Sequence, residues 1–107
     1  MLMAVIAQNL QPGITLVATA ETIVTAGAGT NVITSAVLTN PTAAAVSVTV
    51  QIKRSGGSAL DLVPSRAIQP NGTDLLPELI GRVLGNGDQI LALGAGLVCV
   101  VDGYSLS

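Results

Sequence analysis

The clearest pattern of apolar and polar positions lies between Asn31 and Arg54. Val46, Val48, Val50 and Ile52 alternate there with Ser47, Thr49, Gln51 and Lys53. Successive side chains of a strand point to opposite faces, so this period of two predicts a half-buried strand. The preceding stretch, Val32 to Thr39, is apolar on both sides through Val32, Ile33, Ala36, Val37 and Leu38. That pattern predicts a more deeply buried strand. Asn40-Pro41-Thr42 lies between the two and supplies turn chemistry. Together they predict an antiparallel hairpin at the centre of a sheet.

The same reading extends along the chain. Met1 to Leu10 is mostly apolar and is expected to end at Gln11-Pro12-Gly13, since Pro and Gly both punctuate. Residues 1–12 are therefore read as a first strand or as an N-terminal arm that docks on a neighbour. Ile14 to Val17 and Glu21 to Thr25 are β-prone, with Ala18-Thr19-Ala20 as a kink or short turn between them. Ala26-Gly27-Ala28-Gly29 is a small-residue loop, and Ser55-Gly56-Gly57-Ser58 a flexible turn. Ala59 to Val63 reads as a short strand that Pro64 ends or marks as an edge. Pro70-Asn71-Gly72-Thr73 is a further turn. Leu75, Leu76, Leu79 and Ile80 have helical spacing, but Pro77 limits Thr73 to Arg82 to extended chain with one helical turn. Asn86-Gly87 predicts a tight turn with positive φ at both residues. Gln89 to Leu93 and Leu97 to Leu106 complete the strands, with Gly103 marking a bulge or a close approach.

About eight short strands at roughly ten-residue spacing, with no surviving helical pattern, predict an all-β antiparallel β-sandwich of jelly-roll-like type. The 107 residues are read as one domain spanning 1–107.

Composition sharpens this picture. Half of the residues are hydrophobic and 9% are charged, against roughly a quarter charged in an ordinary soluble domain. So apolar a chain is expected to bury surface against copies of itself or a larger assembly. Tyr104 is the only aromatic residue, so the core must be aliphatic and stacking platforms for bases or sugars are lacking. The net charge is −2 with four basic residues, of which only Lys53-Arg54 are adjacent. Nucleic-acid binding needs a basic cluster, so none is expected. No stretch of about 18 apolar residues runs without polar interruption, and no aromatic girdle accompanies the strands, so no membrane partner is expected. The N-terminus lacks the basic region of a signal peptide.

Candidate chemistry is sparse. The carboxylates are Glu21, Asp61, Asp74, Glu78, Asp88 and Asp102, and no spacing among them specifies an acid–base pair. Each is expected to be a solvated or turn-capping acid. One cysteine, Cys99, and no histidine leave no zinc set and no base to activate a nucleophile. Cys99 lies in an apolar run and reads as a small core residue. The Gly27–Gly29 loop leads into a strand, not a helix, and lacks the residues of a phosphate-binding loop. The chain is read as not an enzyme. It is assigned no catalytic, cofactor-binding or metal-binding residues and no cofactor.

Four strings carry a resemblance. They are Ile23-Val24-Thr25-Ala26-Gly27-Ala28-Gly29-Thr30-Asn31-Val32-Ile33, the strand end Val37-Leu38-Thr39-Asn40-Pro41, Ile68-Gln69-Pro70-Asn71-Gly72-Thr73, and Leu84-Gly85-Asn86-Gly87-Asp88-Gln89-Ile90. With the final Val101-Asp102-Gly103-Tyr104, they resemble the small β-sandwich structural proteins of tailed bacteriophages, over about residues 22 to 104. That resemblance implies a virion component: a capsid decoration or cement protein that binds the major capsid protein and itself on the capsid surface. The alternative is a tail or fibre domain that binds a receptor or glycan. It brings no active-site residues. Apart from the resemblance, coarse candidates for an interface are Met1–Ile6 and the exposed side of Val32–Leu38; the alternative for both is ordinary core, and neither is assigned as a site.

Overall fold

The computed structural model describes residues 5–106, and every regular element among them is a strand. In chain order these are β1 (Val5–Thr15), β2 (Glu21–Thr25), β3 (Thr30–Thr39), β4 (Val46–Lys53) and β5 (Ala59–Ile68). They are followed by β6 (Thr73–Asp74), β7 (Val83–Leu84), β8 (Gln89–Leu93) and β9 (Val98–Leu106). One sheet has the order β1-β9-β3-β6, with β7 also on β3, and the other has the order β2-β8-β4-β5. All pairings are antiparallel. β6 pairs with Leu38 and Thr39, and β7 with Asn31 and Val32, so the two are one interrupted strand along β3. This makes eight strand positions, and their order is that of a jelly roll. The strand count and the sandwich are as the sequence predicts.

The hairpin expected between Asn31 and Arg54 does not form. β3 lies between β9 and β6 in one sheet, while β4 lies between β8 and β5 in the other. Asn40 directs this crossing. Its amide is almost fully buried and donates to the carbonyls of Ala44 (2.8 Å) and Ile68 (2.9 Å). Its Oδ1 accepts from the Thr42 N–H (3.0 Å) and lies 2.6 Å from the Thr42 hydroxyl. The loop is thus wound around a satisfied polar centre and delivers the chain to the opposite sheet. Among the described residues, the only hairpin joining adjacent long strands is β4–β5.

Prolines decide two further expectations. Gln11-Pro12-Gly13 does not end the first strand, because β1 continues to Thr15. At Pro64 the edge alternative holds, and β5 runs through it to Ile68 as the outer strand of its sheet. Both are edge strands, where a missing N–H costs no ladder bond, and both absorb the irregularity as register shifts. Residues 1–12 are therefore a first strand from Val5 onward, and Met1–Ala4 lie outside the described residues.

The turns share one geometry. Gly57, Gly72, Asp88 and Leu97 each donate to the carbonyl three residues back. The third residue of each turn has positive φ: Gly56 (77°), Asn71 (59°), Gly87 (88°) and Gly96 (90°). This is the type II pattern, which requires Gly or Asn at that place. Asn86 is not among the positive-φ residues, so the Asn86-Gly87 turn needs only Gly87 and passes between sheets instead of closing a hairpin. Leu76 to Arg82 winds through successive three-residue-back hydrogen bonds after β6, as the Pro77 reading anticipates.

The core between the sheets is aliphatic. Ile33 and Leu38 on β3 and Cys99 and Val101 on β9 are sealed from solvent, as are Val48 and Val50 on β4 and Ile90 on β8. Leu76 and Leu79 of the winding segment close one flank.

Candidate functional site

The acidic residues that approach one another do so around arginines. Asp74 and Glu78 converge on Arg66 of β5. Arg66 donates to Glu78 Oε2 (2.8 Å) and Oε1 (3.0 Å), and to Asp74 Oδ1 (3.1 Å). Its Nε lies 2.8 Å from Asp74 Oδ2. The hydrogen bond to Glu78 raises the Arg66 pKa, and the same bond lowers that of Glu78. A carboxylate held ionised in this way is unsuited to general acid work. The cluster is a clasp, tying the β5 edge of one sheet to the segment after β6 in the other.

Asp88 forms a second clasp. Its carboxylate accepts from the Ser55 N–H (2.9 Å), the Arg54 guanidinium (2.8 Å) and the Gly85 N–H (2.9 Å). The Ser55 bond first, then Arg54 and Gly85, hold its pKa down. Arg54 also donates to the Val83 carbonyl (2.8 Å), so the Lys53-Arg54 pair is no free basic patch. Of the remaining acids, Asp61 accepts from Gln51 (2.9 Å), Glu21 opens β2 and Asp102 lies on β9. Cys99 is sealed in the core, and burial pushes its thiol up to about 11, which keeps it from forming a thiolate. Among the described residues, no three acidic or thiol side chains converge and no cavity opens.

The distinctive surface is the outer face of the five-stranded sheet. On β9 the inward residues Cys99 and Val101 are buried, which turns Val98, Val100, Asp102, Tyr104 and Leu106 outward. The register then aligns rows across the sheet. Ala7, Tyr104, Val32 and Val83 stand side by side, and Val5, Leu106 and Thr30 form the next row. Val37 faces Val100, and Thr39 faces Val98. Val5 is 66% exposed and Val83 51%. Asp102 is the only charged residue in β1, β3 and β9.

Of the sequence-predicted interface positions, Val5–Ile6 and the outer side of Val32–Leu38 belong to this sheet. Val83, Val98, Val100 and Leu106 were not singled out by sequence. For Val98 and Val100 the signal was present, since Leu97 to Val101 is apolar at every position, which a strand with a solvated outer face does not require; Val83 and Leu106 had none.

Fold and surface together define a jelly-roll β-sandwich with one apolar, nearly charge-free outer face. No family model, no curated protein and no solved structure matches the chain.

Proposed function

We propose that this chain is a structural protein of a tailed-bacteriophage virion: a capsid decoration or cement protein that binds the major capsid protein and itself, and stabilises the shell from outside. The observation that carries the reading is the outer face of the five-stranded sheet, where Val5, Val32, Val83, Val100, Tyr104 and Leu106 meet water beside a single charge. Monomeric proteins seldom leave such a face bare. Covering each half-exposed valine contributes about 1 kcal/mol. Such a gain is small per contact but accumulates where one body touches several neighbours of a lattice. The choice of a capsid, among the assemblies that would cover the face, is supported by the resemblance of the turn and strand-end strings between Ile23 and Tyr104. No enzymatic step, cofactor, nucleic acid or membrane enters this reading.

A second reading is a tail or fibre domain that binds a receptor or glycan, and the shortage of aromatics leaves Tyr104 as its single stacking side chain. The chain's lone aromatic stands on this face, where a sugar ring would stack.

Gradient sedimentation of particles from the source, with quantitative mass spectrometry of the particle band, tests both. A copy number comparable to the major capsid protein is the expected result. A handful of copies per particle supports the tail or fibre reading. Absence from the band overturns the virion assignment.

A further inference from the structure

The two sheets present four edges, and three are blunted. β2 is five residues long, begins with Glu21 and carries a register shift. β5 carries Asp61, Pro64 and Arg66 and is shifted twice against β4. The β6–β7 edge is broken into two-residue pieces. Charges, prolines, bulges and short edges are the usual means by which a sheet refuses another strand. The fourth edge has none of them from Val5 to Gln8, and its first register shift falls between Gln8 and Gln11. Val5-Ile6-Ala7-Gln8-Asn9-Leu10 of β1 contains no charge, no proline and no glycine, and among the described residues it pairs with β9 alone. All of Val5 to Asn9 is exposed, with Ile6 at 49%.

We propose that two copies of this chain pair β1 to β1, antiparallel about a two-fold axis at Gln8. Ile6 of each copy then lies opposite Leu10 of the second copy, and the two five-stranded sheets become one continuous sheet. An even register sum keeps both cores on the same side of that sheet, because residues six, eight and ten share one face of a strand. Leu10 already packs against the core, so Ile6 of the second copy extends the same apolar layer. Two identical uncharged strands meet without repulsion, whereas a charged peptide finds no counter-charge on β1. The first register shift leaves Leu10 on the core side, and Pro12-Gly13 with the second shift, between Gln11 and Ile14, ends the pairing there. The far edge of each joined sheet is the broken β6–β7 edge, so the assembly closes at two copies and does not grow into a fibre. The pairing rests on the self-association part of the reading above and is independent of the capsid.

The test uses the purified full chain. Light scattering on a sizing column is expected to give twice the 10.6 kDa chain mass. Gln8→Lys places two ammonium groups at the axis and is expected to return the mass to one chain, with the β-sheet circular dichroism unchanged. Gln8→Cys is expected to form an intermolecular disulfide under mild oxidation, whereas Leu60→Cys on the β5 edge is expected not to. A wild-type monomer at several hundred micromolar overturns the pairing, even if the chain co-sediments with particles. A dimer that survives Gln8→Lys and does not cross-link through Gln8→Cys overturns it as well. A cross-linked dimer absent from particles upholds the pairing and overturns only the virion reading.

Discussion

Asn40 shows how much one side chain carries in this fold. It holds four hydrogen-bonding positions at the crossing from β3 to β4, and its backbone also accepts from Asn71 and donates to Gly72. Removing the amide orphans the buried Ile68 carbonyl and unties the Thr42 turn, so Asn40→Ala is expected to lower stability by about 1–3 kcal/mol in urea unfolding. Asn40→Asp keeps the shape but sets a carboxylate oxygen against the carbonyls of Ala44 and Ile68. It is expected to cost at least as much, which separates hydrogen bonding from packing. Gly103 is a second constrained position. A Cβ there would run into the Val32 carbonyl of the neighbouring strand and meet Leu10 Cδ1 at 2.8 Å. Gly103→Ala must push β3 from β9, and a loss of about 1–3 kcal/mol is expected from such overpacking. An unchanged melting temperature would show that the ladder yields at no cost. The glycine was legible in the sequence as a place of close approach. The role of Asn40 was legible only as turn chemistry, because a hub of side-chain bonds to residues 44 and 68 leaves no local trace.

At the scale of elements, alternation reveals which side of a strand is buried, and most strand spans were legible for that reason. It does not reveal which sheet receives the strand. In a sandwich both sheets bury one face, so a crossover and a hairpin have the same pattern. That is why Asn31 to Arg54 read as a hairpin while the structure splits it between sheets. Pro12 misled for a related reason, since an edge strand tolerates a residue that a central strand rejects, and Pro64 was legible as an edge marker for the same reason. The clasps between elements were also hidden, as Arg66 meets Glu78 and Asp88 meets Ser55 only through the fold. Both carboxylates have folded-state pKa values below their usual ones. Their contribution to stability is therefore full above the unfolded carboxylate range and is lost as pH falls through the folded values. The urea midpoint is expected to hold from neutral pH to about 4–5 and to fall below that. Asp88→Asn is expected to lower the neutral midpoint and to flatten the acid decline; an acid limb as steep as the wild type would assign the decline to other groups. Arg66 is 31% exposed at its side chain, so its clasp is partly screened. Arg66→Met is expected to cost about 1–2 kcal/mol, less than a fully buried charged hydrogen bond.

Across the whole molecule, the interleaved strand order means that most pairings join distant parts of the chain. β1 finds β9, β2 finds β8 and β3 finds β9, with β4–β5 the one local hairpin of long strands. Loop closure must precede these contacts, so refolding is expected in the millisecond-to-second range and single-exponential stopped-flow traces in microseconds would contradict it. The pairing of β1 with β9 has a consequence for the shape of the chain as a path. Val5 lies directly opposite Leu106, so the path of the described residues starts and finishes at one pole, with only the spacing between two paired strands separating Val5 from Leu106. A few glycine and serine residues can bridge that gap, and the resulting ring can be reopened within Ser55-Gly56-Gly57-Ser58, where the backbone is exposed. A protein begun at Gly57 and ended at Gly56 keeps every strand and every sheet neighbour. Its new ends leave from the loop between β4 and β5, which lies at the same pole but in the opposite sheet, so anything fused to them moves across the sandwich and not to its far end.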